Sequence, residues 1–161
     1  MSNTVEFSGD WQSLKRVLDG CGTKLKRESR KTIGRQIKLI EARVLGHIDK
    51  QDLQWPALDE KYKARKERKG LSPDILRASN QMYANITTDQ PNDFEGACGV
   101  KRGVKEKGGQ DVTDIALIHE NPEDRPRKRG KDRKLWKPTF EEVKPGVEAA
   151  LKGIVIEVFK K

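Results

Sequence analysis

The sequence has few of the residues that build covalent cross-links or large apolar cores. Only two cysteines occur, Cys21 and Cys98, and neither belongs to a CxxC pair, which argues against a zinc site and a disulfide framework. We expect both thiols to be reduced and buried. Aromatic residues make up 6% of the chain and apolar residues 34%. The core must therefore be small, and part of the apolar surface is expected to be buried against neighbouring chains.

Long hydrophobic runs are also missing. The longest, IALI and IVIEVF, fall far short of the roughly 20 apolar residues that span a bilayer. The opening stretch MSNTVEFSGDW lacks the basic segment and following apolar segment that are typical of a secretory signal. The sequence therefore predicts a cytoplasmic protein without a membrane role.

Short motifs that carry catalytic or metal chemistry are absent as well. His47 and His119 are the only histidines, and neither lies in an HExxH pattern or beside a second ligand set. Gly103, Gly108 and Gly109 lie in a lysine-rich stretch without the strand and helix that a phosphate-binding loop requires. We predict no catalytic residue, no metal ligand and no cofactor, and therefore a protein that is not an enzyme.

Basic residues are what the chain has in excess. It carries 34 Lys and Arg against 25 Asp and Glu, a formal net charge of +9. Such a charge favours anionic partners but does not determine a fold. The length of 161 residues suits a single domain over 1–161.

The first long signal, over 8–50, is helical. Apolar residues recur at helical steps at Ile33, Ile37, Ile40, Val44 and Ile48. The GCGT stretch at 20–23 predicts a break between two N-terminal helices. The opposite face is basic and reads either as a solvated helix face or as a nucleic-acid contact; it carries Lys24, Lys26, Arg27, Arg30, Lys31, Arg35, Lys38 and Arg43.

A structural corner follows at QWPALDEKYKARK. Pro56 disfavours helix at Trp55, so the chain turns there. Asp59 is placed to cap a new helix that Gly70 ends, and a second short helix, capped by Ser72, is expected to reach about Met82, so that 59–82 holds two short helices. The corner residues Trp55, Leu58 and Tyr62, with Pro56, are expected to form one apolar cluster against the long helix.

Region 83–120 has the character of a small β-sheet. YANITT and FEGACGV, separated by DQPND, predict a β-hairpin, and DVTDIALIH predicts a third strand. The Gly- and Lys-rich stretch 101–111 is expected to be a mobile loop.

A basic loop is predicted over 121–137. Eight basic residues lie between Arg125 and Lys137, and with Asp132 their charge is +7. The loop is either a solvated surface feature or a contact to DNA or to an acidic protein surface. Its candidate contact residues are Arg125, Arg127, Lys128, Arg129, Lys131, Arg133 and Lys134.

The chain ends in a predicted helix over 139–159. Thr139 and Glu142 fit a capping box, and apolar residues then keep helical spacing. The β-branched stretch GIVIEVF leaves a terminal strand as the alternative. The predicted fold class is α+β, with long N-terminal helices and a C-terminal helix packed on a small antiparallel β-sheet.

The order of these features resembles the tail-completion and minor-tail proteins of tailed bacteriophages, the virion morphogenesis family. The resemblance covers roughly 30–160. The matching positions are the corner and its helix, the following ILR block, a late strand and the entry to the last helix: Trp55, Pro56, Leu58, Tyr62, Lys66, Gly70, Ile75, Leu76, Arg77, Ala116, His119, Glu120, Arg133, Leu135 and Pro138.

The resemblance implies a non-enzymatic structural protein of the virion, assembled in the host bacterial cytoplasm. The family's subunits form rings, most often a homohexamer, at the neck or tail end as tail-completion, tail-terminator or head–tail joining components. The implied partners are other copies of the chain, neighbouring neck, connector or tail-tube proteins, and genomic DNA in the channel. A basic nucleic-acid-binding module, with Trp136 for base stacking, is the main alternative, and an assembly chaperone absent from the finished particle is another.

Overall fold

A hairpin of two long helices forms the frame of the protein. In the computed structural model, which describes residues 11–106, 108–121 and 132–160, α1 (Trp11–Lys50) and α5 (Trp136–Phe159) pack against each other. They are antiparallel, because Arg43 pairs with Glu142 near one end and Lys24 Nζ donates to the Lys160 carbonyl at the other. With the small antiparallel sheet described below, this confirms the predicted α+β class.

Helix α1 runs unbroken through the GCGT stretch, so the prediction of two N-terminal helices was wrong. Gly20 and Gly22 lie in open surroundings, because a Cβ added at either would have no neighbouring atom within 4 Å. No other element therefore packs closely enough there to interrupt the helix. A helical glycine costs only about 1 kcal/mol relative to alanine, and tertiary packing of the remaining helix offsets that cost. The predicted apolar stripe is confirmed, since Val44 and Ile48 are fully buried and Ile37 is nearly so.

The sheet is the predicted hairpin of β1 (Ile86–Asp89) and β2 (Ala97–Val100), paired antiparallel with Ile86 opposite Val100. It packs on α1 through a close approach at Gly96. A Cβ there would lie 2.6 Å from Ile33 Cγ2 and 2.7 Å from Ile37 Cγ2. Only glycine lets the hairpin lie this close to the helix.

The predicted third strand is a helix, α4 (Val112–Glu120). Asp111 caps it, because its carboxylate accepts hydrogen bonds from the backbone N–H groups of Thr113 and Gly103 at 2.8 and 3.0 Å. Val112 and Ala116, four residues apart, are the buried pair on its inner face. The cap outweighed the β-branched composition that had favoured a strand.

The stretch before α4 was predicted as a mobile loop over 101–111; its described residues, 101–106 and 108–111, form turns with internal hydrogen bonds. Val112 N donates to the Val104 carbonyl, and Glu106 N donates to the Gln110 carbonyl, both at 2.9 Å. Lys105 and Asp111 form an isolated antiparallel bridge. Its mobility stays a prediction.

Helix α2 (Glu60–Arg68) is as predicted, with Asp59 accepting from Tyr62 N at 3.1 Å. Gly70, at φ +67°, ends it: the N–H groups of Gly70 and Leu71 donate to the carbonyls of Glu67 and Lys66. This pairing is a Schellman motif, in which the left-handed residue is usually glycine.

The helix predicted to run from Ser72 to Met82 does not form; only α3 (Gln81–Ala84) is helical there. The backbone groups of Asp74 and Ile75 instead bond to the side chains of Lys66 and Gln51. Leu76 adopts φ +62°, which an α-helix does not accommodate. Tertiary hydrogen bonds have replaced the helical ones.

The hydrophobic core lies where the C-terminal end of α1 meets the other elements. Leu135, just before α5, completes it, and a second ring of partly buried side chains that includes Trp55, Cys98 and Trp136 packs around it. Cys21 and Cys98 are free thiols as predicted, but both are only partly buried. The core residues are Val44, Ile48, Met82, Ile86, Ala116 and Leu135.

Candidate interaction site

The foot of the basic loop is fastened by Glu120, the last residue of α4. Its carboxylate accepts hydrogen bonds from three successive backbone N–H groups, those of Leu135, Trp136 and Lys137, at 2.9, 3.0 and 2.8 Å. These are unpaired donors at the start of α5, where a negative charge is favourable. Helix α5 therefore begins at Trp136 rather than at the predicted Thr139, and its cap comes from another element.

The predicted capping box of Thr139 and Glu142 is wrong for the same reason. Thr139 is buried one turn into the helix, and its hydroxyl donates to the Leu135 carbonyl at 2.6 Å. Glu142 bonds to Arg43 and His47 of α1 instead. The predicted helical character of GIVIEVF is confirmed.

The structural corner holds the same foot from the other side. Trp55 Nε1 donates to the Lys134 carbonyl at 2.8 Å, and the Arg133 guanidinium donates to the Pro56 carbonyl at 3.1 and 3.3 Å. We call the contacts of Glu120, Trp55 and Pro56 with residues 133–137 the clasp. The corner thus positions the C-terminal end of the basic loop as well as contributing to the core.

The predicted apolar cluster of Trp55, Leu58 and Tyr62 is confirmed for Trp55 and wrong for Tyr62. Trp55 is half-buried and packs against the core. Tyr62 is exposed, with the Arg65 guanidinium 5.2 Å from its ring centroid. Tyr62 and Leu58 both line the cleft described below.

The predicted contact residues of the basic loop fall into two groups. Arg133 and Lys134 belong to the clasp and are partly buried, so they hold the loop's end. Trp136, proposed for base stacking, packs against the core through its partly buried side chain. The remaining candidates lie outside the described residues: Arg125, Arg127, Lys128, Arg129 and Lys131.

Next to the clasp, α2 and the 71–80 segment enclose a cleft of about 990 Å³. Lys66 is buried in it, and its ammonium donates to the Asp74 carbonyl at 2.7 Å. Burial lowers the pKa of Lys66, as does the nearby Arg133 guanidinium, while Asp74 raises it. The cleft therefore holds a desolvated cation beside a second one.

A polar cluster joins the C-terminal part of α1 to the first turns of α5. The buried His47 lies between two carboxylates, with Nδ1 2.5 Å from Asp52 Oδ1 and Nε2 3.0 Å from Glu142 Oε2. An imidazole protonated on both nitrogens can donate to both at once. Arg43 completes the cluster by pairing with the other Glu142 oxygen. The hydrogen bond from His47 lowers the pKa of Asp52, and the one from Arg43 lowers the pKa of Glu142.

This cluster predicts a pH dependence for the Glu142→Gln variant. A carboxylate whose pKa is lowered on folding stabilises the protein above its unfolded value and loses that contribution as pH falls through the folded value. We expect Glu142→Gln to be less stable than the parent at pH 7, with the gap closing as pH falls below the ordinary glutamate pKa of about 4.3. Urea unfolding of both proteins between pH 7 and 3 measures the gap.

Glu148→Gln is the matched control. Glu148 is exposed on the same helix, and its ion pair with Lys144 is long, with 3.8 Å between the carboxylate oxygen and Lys144 Nζ. Its stability difference from the parent should be small at every pH. A Glu142→Gln gap that stays constant down to pH 3 would show that the negative charge of Glu142 does not stabilise the fold.

The free end of the helical hairpin exposes large apolar side chains among charged ones. Helix α1 continues past the end of α5, since Lys24 already lies beside Lys160. Large apolar side chains on both helices are between 37% and 71% exposed at this end. We call this surface the apolar tip; it consists of Val17, Leu18 and Leu25 of α1 and Leu151, Val155, Ile156 and Phe159 of α5.

Over 11–106, 108–121 and 132–160, no group of three or more His, Cys, Asp or Glu side chains could hold a metal ion. Burial raises the pKa of the Cys98 thiol to about 11, which disfavours the reactive thiolate. Across the same residues, no helix is long and apolar enough to cross a membrane.

Three features of the site were not predicted from the sequence. Glu120 as the cap of α5, the burial of Lys66 and the pairing of His47 with Glu142 each join residues from different elements. No local spacing indicates such contacts, although the isolated histidine in the apolar stripe of α1 could have indicated a buried polar pair.

Comparison with protein-family models, curated proteins and solved structures gave no match.

Proposed function

We propose that this protein is a structural component of a tailed-bacteriophage virion. In this proposal, copies of the chain form a ring, with six subunits as the expected number, at the neck or tail end, as a tail-completion, tail-terminator or head–tail joining component. The protein is assembled in the host cytoplasm, performs no catalysis, and contacts neighbouring neck, connector or tail-tube proteins. The order of residues from the Trp55 corner to Pro138 supports the choice of family.

One part of that resemblance is wrong in its secondary structure. Ala116, His119 and Glu120 were matched to a late strand, but they lie in α4. The match at the corner is supported in its local structure, since Asp59 caps α2 and Gly70 ends it.

The apolar tip is the observation that supports self-association. Seven large apolar side chains are exposed along this part of the hairpin in a chain whose apolar content is only 34%. Patches of this kind mark protein interaction surfaces. A chain with so little core gains stability by covering such a patch with another copy.

The alternative function, a nucleic-acid-binding module, receives weaker support from the basic face of α1. Four of its side chains form ion pairs: Arg27 with Glu28, Arg30 with Asp93, Lys38 with Glu41 and Arg43 with Glu142. Each pair reduces the charge available to phosphates. Within the ring proposal, the basic loop remains a candidate for contact with DNA.

Sedimentation provides the test of self-association. We expect the protein to sediment as a multimer without nucleic acid. The double variant Val155→Glu/Ile156→Glu should weaken the association constant at least tenfold, which corresponds to about 1.4 kcal/mol. The physical reason is that two carboxylates would have to be desolvated in the interface.

Phe140→Glu is the matched control, because Phe140 is similarly exposed at the opposite end of α5. It should leave the multimer intact. A parent protein that sediments as a monomer, or binds DNA with an affinity that falls steeply with salt, would favour the nucleic-acid alternative. Mass spectrometry of purified virions separates a virion component from an assembly chaperone.

A further inference from the structure

The cleft beside α2 combines cations with apolar side chains. Its charged wall has four basic and two acidic residues: Lys66, Lys69, Arg77 and Arg133, and Asp74 and Glu106. Helix α2 as a whole carries five basic residues and two acidic ones. Its apolar lining is formed by Leu58, Leu71, Ile75, Leu76 and Ile115. A ligand that fits both parts must carry acidic and apolar groups together.

Lys66 is the residue that most favours anion binding in the cleft. Its ammonium has three donors and bonds to the Asp74 carbonyl at 2.7 Å, while Arg133 lies close enough to disfavour its charge. Burial shields the Lys66 ammonium from water, so a carboxylate entering the cleft would add to the stabilising negative charge that Asp74 already supplies.

A segment of the chain itself has the required chemistry. Residues 1–10, MSNTVEFSGD, carry two acidic residues, Glu6 and Asp10, and no lysine or arginine, with Val5 and Phe7 as apolar groups. The other stretch of several residues outside the described ones, 122–131, has five basic and two acidic residues. Charge therefore favours the first stretch for a cationic cleft.

Covalent geometry excludes the cleft of the same subunit. The wall of the cleft is tied to the C-terminal end of α1 by the Arg77–Asp49 ion pair. Asp49 lies 38 residues along a continuous helix from Trp11, which is about 57 Å at 1.5 Å per residue. Phe7, four residues before Trp11, reaches at most about 14 Å from it.

We propose that the cleft binds residues 1–10 of a second copy of the chain. Lys66 and Lys69 bind the carboxylates, and the apolar lining receives Val5 and Phe7. This rests on the proposed self-association and adds its geometry. The segment leaves the apolar tip of one subunit and enters the opposite end of the next, and such head-to-tail contacts close into rings when the rotation allows.

Photo-cross-linking of the full chain tests this contact. With a photoreactive phenylalanine analogue in place of Phe7, we expect intermolecular cross-links to cleft residues, identified by mass spectrometry. The same analogue at Phe94, an exposed aromatic residue on the hairpin connection, should give none to the cleft. An excess of a peptide with the sequence of residues 1–10 should compete.

Substitutions in the cleft provide the second readout. Lys69 is exposed, so Lys69→Glu should leave folding intact and reduce the cross-link yield at least about fivefold, because like charges would face each other. Lys66→Met tests the buried cation if the variant folds. Cross-links that lie outside the cleft, a yield unchanged by Lys69→Glu, or competition by a short oligonucleotide but not by the peptide would overturn the proposal. If the chain is a multimer without these cross-links, the proposed ring stands and only this contact fails.

Discussion

Trp55→Ala is expected to lower the free energy of unfolding by about 2 to 3 kcal/mol, somewhat less than the 3 to 5 typical of a fully buried aromatic residue. The indole is half-buried against the core and donates to the Lys134 carbonyl. Its removal leaves a cavity and an unpaired carbonyl in the clasp. A fall in melting temperature of roughly 5 to 10 °C should be visible by circular dichroism.

Two variants separate packing from the hydrogen bond. Trp55→Phe keeps most of the ring but loses the N–H donor, so it should cost less than Trp55→Ala while amide exchange near Lys134 still accelerates. Phe94→Ala, at an exposed aromatic residue, should change stability by no more than about 0.5 kcal/mol. A melting temperature unchanged in Trp55→Ala would show that the corner is not a structural element.

Elements governed by local signals were predictable from the sequence. The apolar stripe of α1, the Asp59 cap and the Gly70 stop of α2, and the hairpin around 90–96 each depend on residues close together in the chain. For these elements, spacing and capping chemistry are sufficient.

The errors occur where distant side chains compete with local hydrogen bonds. Ser72 and Pro73 read as a helix start, yet Lys66 and Gln51 take the backbone groups of Asp74 and Ile75. Likewise Thr139 reads as a cap, but Glu120 caps α5 one turn earlier. These partners are between 8 and 24 positions apart, and a single sequence gives no sign that they meet.

The candidate site was predicted only in part for the same reason. The charge of the basic loop is evident from composition, whereas the role of Arg133 and the Lys134 carbonyl in the clasp depends on the Trp55 corner, more than 70 positions away. The cation cleft depends on Lys66, one of several similar basic residues on α2, being the buried one. Periodicity within nine residues could not distinguish it from its neighbours.

The basic loop itself carries the second prediction, which follows from the proposed function. Replacing Arg127, Lys128, Arg129 and Lys131 by serine removes four positive charges from the stretch that precedes the clasp. The clasp contacts are made by residues 133–137, which these substitutions leave unchanged, so subunit folding and ring formation should be retained. In a ring of six, each lost contact is lost six times, so weak contacts to DNA or to an acidic neighbour disappear together.

The expected result is a fall in infectious titre by orders of magnitude, with heads and tails that fail to join or virions that leak DNA, scored by plaque assay and electron microscopy. The matched control removes the same charge elsewhere, by serine at the exposed Lys26, Lys31, Lys61 and Lys152, and should leave the titre near that of the parent. If the loop variant instead gives normal titres, the loop is a solvated surface whose charge serves solubility, because screened charges without a partner contribute little to assembly.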